Sequence, residues 1–120
     1  EIGNTLYGLQ NMSSDEAEVR EILTALTARI THSTAVLTSQ EIGNSLYGLK
    51  CMSSEHAEVR TVILALSEHI ERSKEELSGQ AISNTLYGLR GTSSEYEEVR
   101  QMLSVLARKI SESTVIVESQ

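Results

Sequence analysis

The 120 residues carry 17 acidic side chains against ten basic ones, a formal charge of −7, and contain no proline, tryptophan or phenylalanine. An acidic surface of this size keeps a chain in solution and repels phosphate backbones at long range, and a core without Phe or Trp must be built from Leu, Ile, Val and Ala. No apolar run approaches the about 20 residues needed to cross a bilayer, so no membrane partner is expected.

The first stretch, Ile2-Gly3-Asn4-Thr5-Leu6-Tyr7-Gly8-Leu9, returns as Ile42-Gly43-Asn44-Ser45-Leu46-Tyr47-Gly48-Leu49 and as Ile82-Ser83-Asn84-Thr85-Leu86-Tyr87-Gly88-Leu89. The period is forty residues without insertion, so the chain divides into repeats 1–40, 41–80 and 81–120 of a single array, carrying charges of −3, −3 and −1. Self-similarity at such a period predicts stacked units, each touching only its neighbours, and an elongated molecule.

Within each repeat Ile42, Leu46 and Leu49 and their equivalents fall at i, i+4 and i+7, which predicts a first helix near residues 1–11, 41–51 and 81–91. Thr38-Ser39-Gln40-Glu41 reads as a capping box, whereas Ser78-Gly79-Gln80-Ala81 keeps the cap and lacks the glutamate. Met12-Ser13-Ser14-Asp15, Met52-Ser53-Ser54-Glu55 and Thr92-Ser93-Ser94-Glu95 follow. They predict a turn whose serine caps the next helix while its acid favours the positive end of the dipole.

The second helix, near 15–32, 55–72 and 95–112, carries the stripe Val19, Ile22, Leu23, Leu26, Ile30. It recurs as Val59, Val62, Ile63, Leu66, Ile70 and as Val99, Met102, Leu103, Leu106, Ile110. Thr34-Ala35-Val36-Leu37 and Thr114-Val115-Ile116-Val117 have strand-like composition, but Lys74-Glu75-Glu76-Leu77 holds the same place in the middle copy. The segment therefore reads as a connection whose last apolar residue (Leu37, Leu77, Val117) tucks into the core. The predicted fold is all-α, an α-solenoid of three 40-residue helix-turn-helix repeats.

Opposite the apolar stripe of the first helix lie Asn4, Tyr7, Gly8 and residue 11, at i, i+3, i+4 and i+7. Stacking the repeats predicts an asparagine row (Asn4, Asn44, Asn84) and a tyrosine row (Tyr7, Tyr47, Tyr87). Two roles compete for them. In the packing role Tyr fills the space between repeats, Asn bonds across the stack and Gly permits close approach; Tyr47, with neighbours on both sides, is then the most covered ring. In the binding role Tyr offers a stacking platform and Asn a hydrogen-bond reader, with Lys50 and Arg90 beside them. Residues 10 and 11 vary (Gln10-Asn11, Lys50-Cys51, Arg90-Gly91), as an exposed helix end permits.

Arg20, Arg60 and Arg100 follow Glu-Val in every copy. A row of arginines can track phosphates or carboxylates bidentately. These are instead expected to tie a helix N-terminus to its neighbour's acids or to an adjacent helix C-terminus, and Glu16–Arg20 has ion-pair spacing. His32, His56 and His69 occupy three different repeat positions and Cys51 has no recurring His partner. No catalytic group, metal or cofactor is therefore expected, and the chain reads as no enzyme. A single cysteine points to an intracellular, reducing compartment. A chain that opens and closes in phase with its repeat reads as part of a longer array, so an organelle is compatible with loss of a targeting segment.

The run Gln40-Glu41-Ile42-Gly43-Asn44-Ser45-Leu46-Tyr47-Gly48-Leu49 resembles the first helix of the octotricopeptide-like repeats of organelle RNA-maturation proteins. That pattern reads Gln-x-Ile/Leu-x-Asn-Thr-Leu-Trp-Ala-Leu. Gln40, Ile42, Asn44, Leu46 and Leu49 match, with Tyr47 at the Trp place and Gly48 at the Ala place, and Gln80 to Leu89 repeats the match. The resemblance spans about a dozen residues per copy and implies an α-solenoid and RNA binding. Composition and spacing by themselves favour a non-enzymatic scaffold for a protein or peptide partner, with modular single-stranded RNA binding as the alternative. Apolar stripes kept intact in the outer copies also predict self-association through the ends.

Overall fold

The computed structural model describes residues 1–113, which form six helices and, among these residues, no strand. They are α1 (Ile2–Tyr7), α2 (Ala17–His32), α3 (Ser39–Tyr47), α4 (Ala57–Arg72), α5 (Gly79–Gly88) and α6 (Glu97–Ser111). Helix α3 packs between α1 and α5, and α4 packs between α2 and α6, giving a row of first helices beside a row of second helices. The expected elongation is not present. The radius of gyration is 13.1 Å and the extents are 41 × 31 × 25 Å, close to the about 14 Å of a globular chain of this length. Two helix layers and only three copies keep the longest dimension under twice the shortest.

The first helices are shorter than the apolar period predicts. Gly8 and Gly48 stay right-handed (φ −62°, ψ −17° and φ −61°, ψ −21°), but beyond them the backbone tightens. Leu9 N–H bonds the Leu6 carbonyl at 2.9 Å and Gln10 N–H the Tyr7 carbonyl at 3.1 Å, a 3₁₀-type ending. Thr38 closes the expected capping box. Its Oγ1 accepts from Glu41 N–H at 3.2 Å while Glu41 Oε1 accepts from Thr38 N–H at 2.9 Å, and that backbone bond holds the Glu41 carboxyl below its ordinary range. Ser78 keeps the cap alone, accepting from Ala81 N–H at 3.1 Å.

The serines of the turn do not cap the second helix. Its N-caps are Glu16, His56 and Tyr96, none with a side-chain cap bond. Ser13, Ser53 and Ser93 instead make local turns, each accepting from the N–H two residues on at 3.1–3.2 Å. Ser14 and Ser54 are buried and reach across to the next repeat, accepting from Ser53 N–H and Ser93 N–H at 2.8 Å. The two serines were indistinguishable by composition, yet one folds the turn and the other joins repeats.

The arginines also differ from expectation. Arg20 Nη1 donates to the Ser14 and Asp15 carbonyls at 2.7 and 2.9 Å, Arg60 to Ser54 and Glu55, and Arg100 to Ser94 and Glu95. Each guanidinium therefore pins the turn of its own repeat. Among the described residues no Glu16–Arg20 ion pair forms; Arg60 alone of the three also approaches a neighbouring acid, with Nε 3.9 Å from Glu98.

Leu37 and Leu77 are buried in the core as expected, and residues 34–38 and 74–78 form no sheet. Val117 and the rest of the third copy of this connection lie outside the described residues. Ile42, Leu46, Leu49, Ile63, Leu66 and Ile70 are fully buried in the middle copy. His69, 2% exposed, adds a polar joint, with Nε2 2.6 Å from the Ile30 carbonyl at the end of α2. Arg72 Nη2 lies 3.1 Å from His69 Nδ1.

Candidate functional site

The two rows read from the sequence are both present on the first-helix layer. Tyr7 and Tyr47 stack with ring centroids 5.8 Å apart at 25°, and Tyr47 and Tyr87 do so at 5.6 Å and 22°. Tyr47 is the most covered of the three, and Tyr7 and Tyr87 are exposed. The rings pack in series, and a cation lies close to each of two of them. Lys50 Nζ lies 4.7 Å from the Tyr47 centroid, and the Arg90 guanidinium 4.4 Å from that of Tyr87. Lys50 Nζ approaches the Tyr47 hydroxyl at 3.4 Å, while Arg90 donates to the Tyr87 hydroxyl and to the Lys50 carbonyl. The tyrosine row is therefore a packed ladder, with no gap of the kind a stacked base would need.

The glycine of the motif explains the close ladder. A Cβ on Gly48 would lie 1.9 Å from the Leu6 carbonyl oxygen, and one on Gly88 1.9 Å from that of Leu46. Only hydrogen at these positions lets successive first helices meet backbone to backbone.

The asparagines behave differently. The expectation that they bond across the stack is not met: among the described residues no hydrogen bond holds the side chain of Asn4, Asn44 or Asn84. Asn44 and Asn84 instead face an open hollow of about 330 Å³, shared with Gln40, Gln80 and Ser78. Each amide brings two N–H donors and one carbonyl acceptor, so four amide side chains converge on one polar groove. Gln40 and Gln80 join the asparagines here, beyond the residues that the helix wheel singles out. Their signal was the recurrence of Gln four residues before Asn, which puts both amides on one helix face.

At the opposite end of the same helices a second hollow, about 420 Å³, is lined by Asp15, Lys50, Cys51, Ser53 and Arg90 among others. Its two cations are partly committed to the tyrosine rings. Arg20, Arg60 and Arg100 bring no free fork to either hollow, because each is bound to carbonyls of its own turn. No described helix is long and apolar enough to cross a membrane.

Comparison with family models, with curated proteins and with solved structures finds no match to this chain.

Proposed function

We propose that the chain is an α-solenoid of three 40-residue units that serves as a non-enzymatic scaffold, holding an extended segment of a protein partner along its asparagine groove. The observation that carries this reading is the set of amides on Gln40, Asn44, Gln80 and Asn84. They converge on an open hollow, and the two asparagine side chains have no hydrogen bond among the described residues. An extended peptide presents an N–H and a carbonyl at every residue, and a row of amides answers both from a rigid helix face. The charge of −7 favours a neutral or basic segment. A free, exposed Cys51 fits a reducing compartment.

The likeness to octotricopeptide repeats supports a second reading, a reader of single-stranded RNA. There Asn44 and Asn84 would address base edges, and Lys50 and Arg90 the phosphates. Tyrosines stacked on one another, two of them with a cation alongside, and the acidic charge weigh toward the peptide.

A library of displayed unstructured peptides and a set of single-stranded RNA homopolymers separate the two. We expect selected peptides to bind with little salt dependence and to lose about thirtyfold in affinity in the double variant Asn44→Ala/Asn84→Ala, at one hydrogen bond of about 1 kcal/mol per site. RNA should bind weakly at physiological salt. Tight RNA binding that falls steeply with salt would reverse the assignment.

A further inference from the structure

The two joints between successive repeats share three contacts. The Leu6 carbonyl seats on Gly48 and the Leu46 carbonyl on Gly88. Ser14 accepts from Ser53 N–H, and Ser54 from Ser93 N–H, at 2.8 Å in both cases. Tyr7 stacks on Tyr47 and Tyr47 on Tyr87. What a third joint would need is thereby specified at these three positions, and both of its halves lie open on the molecule.

One half is on the first repeat. Gly8 is exposed, and a Cβ there would meet nothing nearer than the Thr5 carbonyl of its own helix, at 3.4 Å. Ile22 is 47% exposed where its equivalents Val62 and Met102 are fully buried. The other half is on the third repeat. Leu86 is 47% exposed where Leu6 and Leu46 are fully buried, and Leu103 is 37% exposed where Leu23 and Ile63 are. Ser94 is exposed where Ser14 and Ser54 are buried.

Charge agrees with shape. At the second joint Arg60 lies over the Tyr96 ring at 4.6 Å and its Nε is 3.9 Å from Glu98. Arg100 holds the same place on the open face of the third repeat, and the residues aligned with Tyr96 and Glu98 on the first repeat are Glu16 and Glu18.

We infer that these two faces are halves of one interface, and that a second copy of this chain docks its Gly8–Ile22 face onto the Leu86–Leu103 face of the first. The Leu86 carbonyl enters the space above the second copy's Gly8, and Tyr87 continues the ladder onto its Tyr7. The Ser94 hydroxyl meets its Ser13 N–H, and Arg100 lies against its Glu16 and Glu18. The contact is head to tail, so it leaves one open face at each end and propagates into a filament unless the superhelix closes. It uses neither hollow and is independent of the groove.

The test is a mixing experiment in the analytical ultracentrifuge. The wild-type chain should show a mass that climbs with concentration in steps of its 13.2 kDa protomer. Gly8→Ala puts a methyl where the incoming carbonyl must sit, and Leu86→Glu charges the opposite face. Each should weaken association about tenfold or more and leave the helical circular dichroism unchanged. Each variant keeps one good face, and the two good faces are complementary. An equimolar mixture should therefore form a one-to-one dimer and stop there. Should Leu86→Glu lose its helical signal, Leu103→Glu replaces it. A wild-type mass fixed at one protomer at every concentration overturns the inference. So does association indifferent to Gly8→Ala, or a mixture that stays monomeric.

Discussion

Replacing Gly48 by alanine should cost the chain about 3 kcal/mol or more, while the same replacement at Gly8 should be neutral or stabilising by a few tenths. The two glycines sit at the same place in the repeat and share backbone angles, φ −61°, ψ −21° and φ −62°, ψ −17°, that alanine adopts freely. Conformational strain is therefore equal and small at both. What differs is the neighbour. A Cβ at Gly48 would stand 1.9 Å from the Leu6 oxygen and 2.4 Å from its carbonyl carbon, and these are backbone atoms that no rotamer change can move aside. Relief requires α1 and α3 to separate, which opens the core under Leu6 and Leu46 as well. At Gly8 the added methyl meets only ordinary van der Waals contact, and alanine limits the unfolded chain more than glycine does. Urea denaturation of dilute protein measures both. Equal midpoints for the two variants would show that the backbone approach at Gly48 is not what sets the helix spacing.

The second large effect belongs to Leu46. Leu46→Ala should destabilise by about 2–5 kcal/mol, in the range for fully buried leucines whose surroundings relax only partly. Leu86→Ala, at the same motif position, should cost less than about 1 kcal/mol, since a half-exposed side chain leaves no cavity. Leu46 is fully buried between the helices on either side of α3, whereas Leu86 is 47% exposed. Thermal unfolding at low protein concentration separates the two, because dilution keeps any contact between copies from covering Leu86. A cost at Leu86 matching that at Leu46 would place Leu86 inside a core that its exposure denies.

The helical architecture was legible because apolar side chains recur at 3.6-residue intervals in every copy, and the capping box at Thr38 was legible because its partners lie three residues apart. Contacts that run between repeats were not. Ser14 and Ser54 looked like helix caps because a serine beside an acid usually is one; their real partners are 39 residues away, and composition carries no trace of that distance. Ile22 and Val62 belong to the same stripe, yet one is exposed and the other buried, because burial here depends on which neighbours a copy has. The arginine rows were visible, but a guanidinium that can choose among acids and carbonyls gives no sign of its choice in sequence. The tyrosine row is legible in the sequence, and its rings stack on one another as the packing role expects. The asparagine row was foreseen too, but an amide expected to bond across the stack was found open, and that reversal is what turns the groove into a candidate site.

The order in which helices pack has a kinetic consequence. α1 packs with α3, α3 with α5, α2 with α4 and α4 with α6, so each well-packed pair lies two elements apart in the chain. Each such contact closes a loop of about forty residues, set by the period and not by the chain's length. Closure entropy rises only with the logarithm of the loop, so every joint forms at nearly the same entropic cost as the one before it. The first joint to form bears the ordering of two units, and each later one orders a single unit against a template already in place. Search distance is thus bounded by the repeat itself, and folding can start at either joint and spread without bringing distant segments together.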